Sequence, residues 1–331
     1  MGRIFASLLI LLFAGSPLVL SGEDAVAPAH AFAIRAAPVV FDASDITRDR
    51  AGELRFLAGW ALSSDDARFG GISAMALDGD GFIAIGDAGG VFRFAIDAGG
   101  LISRAEIAML PDGPQPEHGG PLQKRDRDAE SLVYDASSGL FWVGFERANA
   151  IWRYGPRLTD AQAHNAPGAM NDWPDNGGPE AMVRLADGRF LIFSEAGDGP
   201  NGSREALLFS GDPSVPGAEP MRLGYRPPDG FQITDAALLP DGRLLILNRR
   251  FTVVEGVSAI VMIADLAGLA EGTVIEGRLV ARLEPPLTID NMEALTVTRE
   301  AGRTIVWMAS DDNFNPLQRT LLLKFELVAP R

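Results

Sequence analysis

Residues 290–313 read DNMEALTVTREAGRTIVWMASDDN, and this stretch shows the pattern that decides the fold. Glu293 introduces a first apolar run, and a second apolar run, residues 304–308, returns after Gly302 and ends at an acidic pair. A glycine between two short apolar runs is typical of a tight hairpin, because glycine supports the positive φ that such turns require. The stretch therefore predicts two antiparallel strands whose polar ends lie at the same edge.

The same pattern occurs five times along the chain. One residue marks the start of the first run in each copy, and the markers are Ser73, Glu130, Glu180, Asp235 and Glu293, with turn glycines Gly81, Gly139, Gly188, Gly242 and Gly302. Successive markers are separated by 57, 50, 55 and 58 residues. This period accommodates about four short strands, which make one blade of a β-propeller. We therefore predict an all-β fold, a β-propeller with five blades.

The two ends of the chain predict how the ring closes. After Asp311 the fifth copy has only one further good strand, residues 321–328, so its blade lacks an outer strand. The apolar run of residues 54–62, before the first marker, would supply that strand and join both ends of the chain in one blade. Six blades are the alternative, because residues 39–45 are not assigned to any blade.

Polar residues recur at both ends of each hairpin. Out-and-back strands place the markers on one rim around the axis, and above them we expect Asp87, Glu146, Glu195, Arg249 or Arg250, and Asp311 or Asp312. Carboxylates gathered this closely repel one another unless a cation neutralises them. Oxygen ligands without nearby Cys or His favour Ca²⁺ or Mg²⁺ over Zn²⁺. The pattern predicts an axial divalent cation; capping of turns and exposure to solvent are the alternative roles for such acids.

Six short motifs carry a further signal. They are Phe69-Gly70-Gly71-Ile72-Ser73, Gly86-Asp87-Ala88-Gly89-Gly90, Asp128-Ala129-Glu130, Asn176-Gly177-Gly178-Pro179-Glu180-Ala181, Asp290-Asn291-Met292-Glu293-Ala294 and Ser310-Asp311-Asp312-Asn313-Phe314. In this order they resemble the bacterial phytase-like family described as having esterase-like activity of phytase. The resemblance runs from about residue 54 to 328. It implies a β-propeller that hydrolyses esters or phosphoesters at a calcium site, and related calcium propellers have six blades.

Two motifs depart from the family's pattern. Ser73 stands where the first copy would carry an acid, and Met292-Glu293-Ala294 replaces the family's usual phenylalanine-glutamate-glycine. A shared fold does not by itself determine the reaction. The resemblance therefore supports the fold more strongly than the chemistry.

Three roles are expected among the candidate site residues. Those expected to hold the metal or to lie beside it are Glu130, Glu180, Asp235, Glu293, Asn291, Asp87 and Asp311. A metal-activated water needs a base, for which the candidates are Glu146, Glu195 and, on a long loop, His118. Arg249, Arg250 and Arg127 are candidates for holding an anionic substrate through bidentate contacts. Arg249 could equally pair with a carboxylate of the ring.

Composition limits the class of protein. The chain has 331 residues, 47% of them hydrophobic, which suits one large core, and residues 34–331 are predicted to form a single domain. A net charge of −15 argues against a nucleic-acid partner, because a phosphate-binding surface needs an excess of basic residues. The chain has no cysteine, which excludes a disulfide and a thiolate nucleophile. We expect a monomer that takes a small anionic or ester substrate.

Residues 1–33 predict a signal peptide followed by a short N-terminal segment. Arg3 precedes an apolar run, and small residues offer cleavage after Ser21 or after Ala33. Gly15, Ser16 and Pro17 interrupt the apolar stretch, which favours a cleaved signal with no lasting membrane span over an uncleaved anchor. A periplasmic or secreted location is expected.

Three functions are compatible with these features. The leading hypothesis is an exported, calcium-dependent hydrolase of phosphoesters or small carboxylic esters. The first alternative is a non-catalytic propeller with a structural central ion, which binds a protein or a cell-envelope ligand. The second is a lactonase, which needs the same ion and a different leaving group.

Overall fold

The computed structural model describes residues 30–116, 123–217 and 219–328, and strands dominate it. In chain order these are β1 (His30–Ala31), β2 (Ile34–Pro38), β3 (Arg50–Ala51), β4 (Leu54–Ser64), β5 (Ile72–Asp78), β6 (Gly81–Gly86), β7 (Gly90–Ile96), β8 (Ile102–Met109), β9 (Ala129–Asp135), β10 (Leu140–Phe145), β11 (Ala150–Tyr154), β12 (Ala161–Asn165), β13 (Pro179–Arg184), β14 (Phe190–Asp198), β15 (Arg204–Phe209), β16 (Met221–Tyr225), β17 (Gln232–Leu238), β18 (Leu244–Thr252), β19 (Gly256–Ala264), β20 (Val274–Ile275), β21 (Gly277–Leu283), β22 (Asn291–Glu300), β23 (Arg303–Asp311) and β24 (Thr320–Leu327). The helices within these ranges are single 3-10 turns at Lys124–Asp126, Pro156–Leu158, Gly168–Met170 and Pro200–Gly202.

The strands form five sheets, which are the blades of a propeller. From the axis outward the orders are β5-β6-β7-β8-β1, β9-β10-β11-β12, β13-β14-β15-β16-β20, β17-β18-β19-β21 and β22-β23-β24-β4-β2, with β3 beside β4. We number the blades one to five in this order. The inner strands contact one another in the cycle β5, β9, β13, β17, β22 and back to β5, so the ring is closed. The prediction of an all-β, five-bladed propeller is confirmed.

The six-bladed alternative is wrong. Residues 39–45, which suggested it, form no sheet of their own in the described part of the chain. They run along the outside of the ring, where Phe41 is buried and Asp42 forms an isolated bridge with Leu287. The segment therefore covers the fifth blade and its neighbour instead of starting another.

The two ends of the chain meet in the fifth blade, as predicted. Strand β4 pairs antiparallel with β24, from Leu62 opposite Thr320 to Leu54 opposite Leu327. Side chains on both faces of this pair are buried: Leu54, Leu321 and Leu323 pack in one core cluster, and Leu62 and Leu322 pack in another. Closure of the ring thus depends on apolar burial and backbone pairing between segments that lie far apart in sequence.

The hydrophobic core is divided among the five contacts between neighbouring blades. Between the fifth and first blades, for example, Trp60 stacks on Trp307 at 6.3 Å between ring centroids, and Phe82 meets Trp307 edge-on at 4.9 Å. Packing of this kind fills the wedges between twisted sheets. It leaves the inner strands free to line the axis.

The predicted hairpin turns are present, with one correction. Gly139, Gly188, Gly242 and Gly302 all have positive φ, as such turns require. In the first blade the residue with positive φ is Gly79, whereas Gly81 begins β6.

Part of the N-terminal prediction falls outside the described residues. Residues 1–29 are not described, and the signal peptide therefore stays a prediction. Immediately after them, β1 pairs with β8 at the outer edge of the first blade. Among the described residues, no helix has the length and apolar character needed to span a bilayer.

Leu323→Ala tests the closure of the ring. The side chain is fully buried between the β24 and β4 strands and their neighbours, so its truncation should lower the free energy of unfolding by about 2–5 kcal/mol. Urea unfolding followed by tryptophan fluorescence measures this change. The control is Leu101→Ala, at a side chain that is 70% exposed, and it should change stability by less than about 0.5 kcal/mol. Equal stability of the two variants would contradict this account of closure.

Candidate functional site

Each inner strand contains a β-bulge near its start. In the first blade Ile72 pairs with Gly86 and Ala74 with Ile85, so Ser73 is left without a partner on β6. The register skips one residue in every other blade too, and the skipped residues are Glu130, Glu180, Thr234 and Glu293. A bulge interrupts the alternation of a strand and redirects one side chain. The recurrent bulge thus presents one side chain per blade at the same rim of the propeller.

The predicted alignment of the fourth copy is wrong by one residue. Thr234 occupies the bulge, and Asp235 pairs in register with Leu247. The carboxylate of Asp235 accepts hydrogen bonds from the backbone N–H of Ala236 at 2.7 Å and from that of Leu295 at 2.6 Å. Because Leu295 belongs to the fifth blade, Asp235 joins two blades.

The second and third blades bring five carboxylates together. Asp128, Glu130 and Glu146 form one group and Glu146, Glu180 and Glu195 another; within each, one oxygen from every residue lies within 4.8 Å of the others. Ligand oxygens on opposite sides of a Ca²⁺ ion are separated by about 5 Å, since each lies 2.3–2.6 Å from the ion. Each group therefore fits a single divalent cation, and Glu146 is shared.

Arg249 compensates the acids of the third and fifth blades. Its Nε lies 3.0 Å from Oε1 of Glu293, and its Nη2 lies 3.7 Å from Oε1 of Glu195. Asn291 donates from Nδ2 to the same oxygen of Glu293 at 2.8 Å. The structural alternative that the sequence left open for Arg249, pairing with a ring carboxylate, is what the structure shows.

Asp87 and Asp311 occupy the rim where the fifth and first blades meet. Both are buried, and the Lys124 ammonium pairs with Oδ2 of Asp87. Oδ1 of Asp87 has no hydrogen-bond partner among the described residues. Asp311 accepts a hydrogen bond from the backbone N–H of Asn313 at 2.6 Å.

Burial raises the pKa of the carboxylates throughout the cluster. Desolvation, followed by the charges of Asp128 and Glu195, raises the pKa of Glu146 to about 7. Desolvation and the neighbouring Asp87 raise the pKa of Asp128 to about 6. The pKa values of Glu130 and Glu180 lie well above their ordinary range for the same two causes, burial first and neighbouring carboxylates second. Without a cation, several of these acids hold their protons near neutral pH.

Arg249 limits the rise in the pKa of the two carboxylates with which it pairs. Desolvation raises the pKa of Glu293 to about 7, although the nearby guanidinium of Arg249 opposes the rise. The pKa of Glu195 is also raised by burial and held down by Arg249. Desolvation and then the charge of Asp87 raise the pKa of Asp311 well above its ordinary value. The strongest uncompensated repulsion therefore falls on the second and third blades.

Two arginines predicted for the site pair with acids outside the carboxylate cluster, and one predicted histidine lies outside the described ranges. Arg250 pairs with Glu255, and its guanidinium lies 4.8 Å from the ring centroid of Phe231. Arg127 is 8% exposed, and its ion-pair partner is Asp112 at 3.9 Å. His118 is not among the described residues.

Two residues of the cluster were missed as site residues. Asp128 belongs to the first group of carboxylates, and Lys124 pairs with Asp87. The spacing of Asp128 from Glu130, two residues along an extended segment, is the signal that could have identified it. Lys124 approaches Asp87 from a different blade, a contact that no local spacing predicts.

The sequence matches a family model over residues 67–314, a range that contains the inner strands of all five blades and every carboxylate of the cluster. The model is described as phytase-like, with esterase-like activity of phytase. This chain belongs to the phytase-like family. No protein with a curated description matches the phytase-like chain significantly.

Solved structures show distant likenesses. Hydrazine synthase of Kuenenia stuttgartiensis has 13% identity and a TM-score of 0.37, with 75% of this chain and 58% of that longer chain covered. Glutaminyl cyclase of Myxococcus xanthus has 12% identity and a TM-score of 0.41, with 78% and 92% covered. A putative 6-phosphogluconolactonase of Bacteroides uniformis has 13% identity and a TM-score of 0.40, with 80% and 77% covered. These similarities carry no conclusion about the activity of the phytase-like chain.

The raised pKa values predict how the stability of the metal-free protein depends on pH. An acid with a higher pKa in the folded than in the unfolded chain binds more protons when folded, so the free energy of unfolding falls as the pH rises between the two values. For Glu146 and Glu293 this interval runs from 4.5 to about 7. Protein in EDTA should therefore have a higher Tm at about pH 5 than at about pH 7.5.

Calcium should remove this dependence. The cation binds ionised carboxylates, so saturating Ca²⁺ should raise the Tm more at about pH 7.5 than at about pH 5. Differential scanning calorimetry with EDTA and with Ca²⁺ at both pH values measures the four Tm values. A chelated protein that is more stable at the higher pH would show that the carboxylates are not desolvated as described.

Two isosteric variants distinguish a candidate metal ligand, Glu180, from an acid that accepts backbone hydrogen bonds, Asp235. Glu180→Gln removes a charge from the second carboxylate group and should weaken Ca²⁺ binding at least about tenfold, measured by isothermal titration calorimetry. Asp235→Asn should leave Ca²⁺ binding unchanged and lower the free energy of unfolding by about 1–3 kcal/mol, since the backbone N–H of Leu295 loses a good acceptor. Loss of Ca²⁺ binding in Asp235→Asn would place that residue among the ligands.

Proposed function

We propose that this protein is an exported hydrolase of esters that depends on a divalent cation, with Ca²⁺ as the preferred ion. The observation that carries the proposal is the pair of carboxylate groups that share Glu146. Within the described residues their single ion pair is the one from Arg249 to Glu195 at 3.7 Å. A set of oxygen donors with so little compensation by the protein suits a hard cation.

The acids of the rim would have different roles in binding the cation. Glu130, Glu146 and Glu180 would hold the cation, with Asp128 as a further ligand in the first group and Glu195 left beside the second group to accept a proton. Asp87, Asp311 and the Asn291–Glu293 pair lie around the same rim and would hold water or a second ligand. Asp235 is left out, because its carboxylate already accepts two backbone hydrogen bonds. When bound, the cation polarises the scissile ester group and lowers the pKa of water.

A carboxylate must accept the proton of the attacking water. Of the two predicted carboxylate bases we favour Glu195, because Glu146 belongs to both groups and is committed to binding the cation. Arg249 lies near Glu195 and favours its ionised form, which is the form that accepts a proton. Arg249 would thereby stabilise the ionised form of the base, while its ion pair with Glu293 holds the guanidinium in place.

The family description and the predicted signal peptide also support the proposal. The description names an esterase-like activity, and a cation of the kind that these groups would hold can polarise the carbonyl or phosphoryl oxygen of an ester. A signal peptide within residues 1–33 would direct the protein to the periplasm or out of the cell, where Ca²⁺ would be abundant enough to load carboxylate sites of moderate affinity. A lactone is a cyclic ester and falls within the same proposal.

Turnover with and without metal tests the function. The purified protein should hydrolyse p-nitrophenyl acetate, bis-p-nitrophenyl phosphate or a small lactone in Ca²⁺, lose at least about 100-fold in kcat/KM in EDTA, and recover when Ca²⁺ is restored. Glu195→Gln should lower kcat by about 100- to 10,000-fold with Ca²⁺ affinity changed much less. The control is Asp187→Asn, whose 53%-exposed side chain pairs with Arg189 in the β13–β14 turn, at the opposite end of these strands from the rim.

The outcome against the proposal is specific. Ca²⁺ that binds and raises the Tm while no ester, phosphoester or lactone is turned over would identify a structural ion in a non-catalytic binding propeller. Turnover that is unchanged by EDTA would separate hydrolysis from the carboxylate groups.

A further inference from the structure

We propose that the substrate is an uncharged ester whose apolar part rests on the ring of Phe314 at the mouth of the carboxylate cluster. This inference rests on the proposed hydrolysis at that cluster. It names the class of substrate, and it assigns to Phe314 the role of a specificity-determining residue. Two independent observations carry it, the charge of the rim and the fixed position of an exposed aromatic ring.

The rim has a large excess of negative charge. Eight carboxylates face two cationic side chains, Lys124 and Arg249, which gives a net charge of −6 when all are ionised; the acids are Asp87, Asp128, Glu130, Glu146, Glu180, Glu195, Glu293 and Asp311. Two divalent cations, one for each group of carboxylates, would still leave −2. A phosphate dianion or a polyphosphate would approach a negative surface, which opposes its binding.

The cations around the rim are already paired. Lys124 is bound to Asp87, and Arg249 to Glu293 and Glu195. Four further arginines lie at or near strand ends at this rim, and each forms an ion pair with a carboxylate outside the cluster: Arg147, Arg204, Arg250 and Arg319. An anionic substrate would have to compete with these carboxylates for a cationic contact. A neutral ester needs no cationic contact.

Phe314 lies directly beside the cluster. A Cβ placed on Gly71 would lie 2.6 Å from both Cε2 of Phe314 and Oδ1 of Asp87, so the ring and the carboxylate approach the same point. Nζ of Lys124 lies 5.9 Å from the ring centroid while it binds Asp87. The ring nevertheless stays 43% exposed. One side of Phe314 thus contacts the rim, and the other side is open to a ligand.

An unusual backbone conformation holds the aromatic ring of Phe314 in place. Asn313 and Phe314 have φ values of +49° and +50°, a left-handed conformation that side chains with a Cβ rarely adopt. The carboxylate of Asp312 stabilises it by accepting hydrogen bonds from the backbone N–H of Phe314 at 3.0 Å, that of Gly71 at 2.9 Å and the hydroxyl of Thr320 at 2.8 Å. An exposed aromatic side chain fixed before a ligand arrives loses little conformational freedom on binding.

More apolar surface lies on the same face. The β18–β19 hairpin continues beyond Arg249, and near its tip Phe251 is 63% exposed while Val253 and Val254 are each 94% exposed. Leu317, three residues after Phe314, is 91% exposed. The mouth of the site is therefore partly apolar while its floor is acidic. This arrangement suits an ester whose carbonyl group points down to the carboxylates and whose chain lies against the mouth.

A matched pair of esters tests the charge of the substrate. p-Nitrophenyl butyrate and mono-p-nitrophenyl succinate share a leaving group and a similar length, but the second carries a carboxylate at its far end. In Ca²⁺ at low ionic strength, kcat/KM should be at least about tenfold higher for the butyrate, and added salt should narrow the ratio because it screens the repulsion. Equal or faster turnover of the succinate would overturn the proposal.

Variants of Phe314 test the apolar contact. From acetate to hexanoate, kcat/KM of the wild type should rise about twofold for each methylene, less than full burial would give because the ring is partly exposed. Phe314→Ala should flatten this rise through KM, while Phe314→Leu should keep most of it. The control Leu101→Ala, at an exposed apolar residue in the β7–β8 turn, should behave like wild type. An unchanged rise in a folded Phe314→Ala protein would overturn the role of the ring.

Binding distinguishes this inference from the proposed function. If the calcium-loaded protein turns over no ester, calorimetric titration with the hydrolysis-resistant amides butyranilide and succinanilic acid takes the place of kinetics. Tighter binding of the neutral amide, weakened by Phe314→Ala, would support the ligand class while hydrolysis fails. Preference for the anionic amide, or binding of neither, would overturn the inference.

Discussion

Electrostatic repulsion among acids at one end of a closed ring is the constraint on which the structure of this site depends. The recurrent bulge turns one side chain per blade toward the rim, and the ring cannot open to separate them because β4 and β24 close it. Hydrogen bonds at or beside the bulges join neighbouring blades. Ser131 donates to the carbonyl of Pro179 at 2.7 Å, and Thr234 donates to that of Met292 at 3.2 Å. These contacts, with those of Asp235 and Asp312, hold the blades together where the charges push them apart.

The blades differ in how far cationic side chains compensate the repulsion between their carboxylates. The fourth blade carries no acid at either position, since Thr234 occupies its bulge and Arg249 the end of its second strand. Arg249 pairs with Glu293 of the fifth blade and with Glu195 of the third, and Lys124 pairs with Asp87 of the first. Glu130 and Glu146 of the second blade have no ion pair within the described residues. The proposed external cation would therefore be needed most where the two carboxylate groups meet, and its position would follow from where the chain places its own cations.

Much of the fold could be predicted from the sequence because its signals are local. The spacing of the markers, the glycine turns and the two orphan strands at the ends of the chain specified five blades and their closure. The error at Asp235 has a different origin: Thr234 and Asp235 are adjacent, and the pairing with β18 decides which of them occupies the bulge. No spacing reveals that register. The Lys124–Asp87 pair and the contact of Phe314 with Gly71 likewise join separate blades, and only the closed ring brings them together.

Charge connects the two properties that the site is proposed to have. The same excess of carboxylates that would attract a divalent cation opposes an anionic substrate, and the arginines that could reverse this effect are bound within the protein. An anion could then be recognised only through the bound cation, so the remainder of the substrate would have to be neutral to approach the rim. An ester with an apolar chain meets this condition, and the exposed ring of Phe314 offers that chain a surface beside the acids. Selectivity for the substrate and dependence on the metal would thus have one physical cause, the uncompensated charge of the second and third blades.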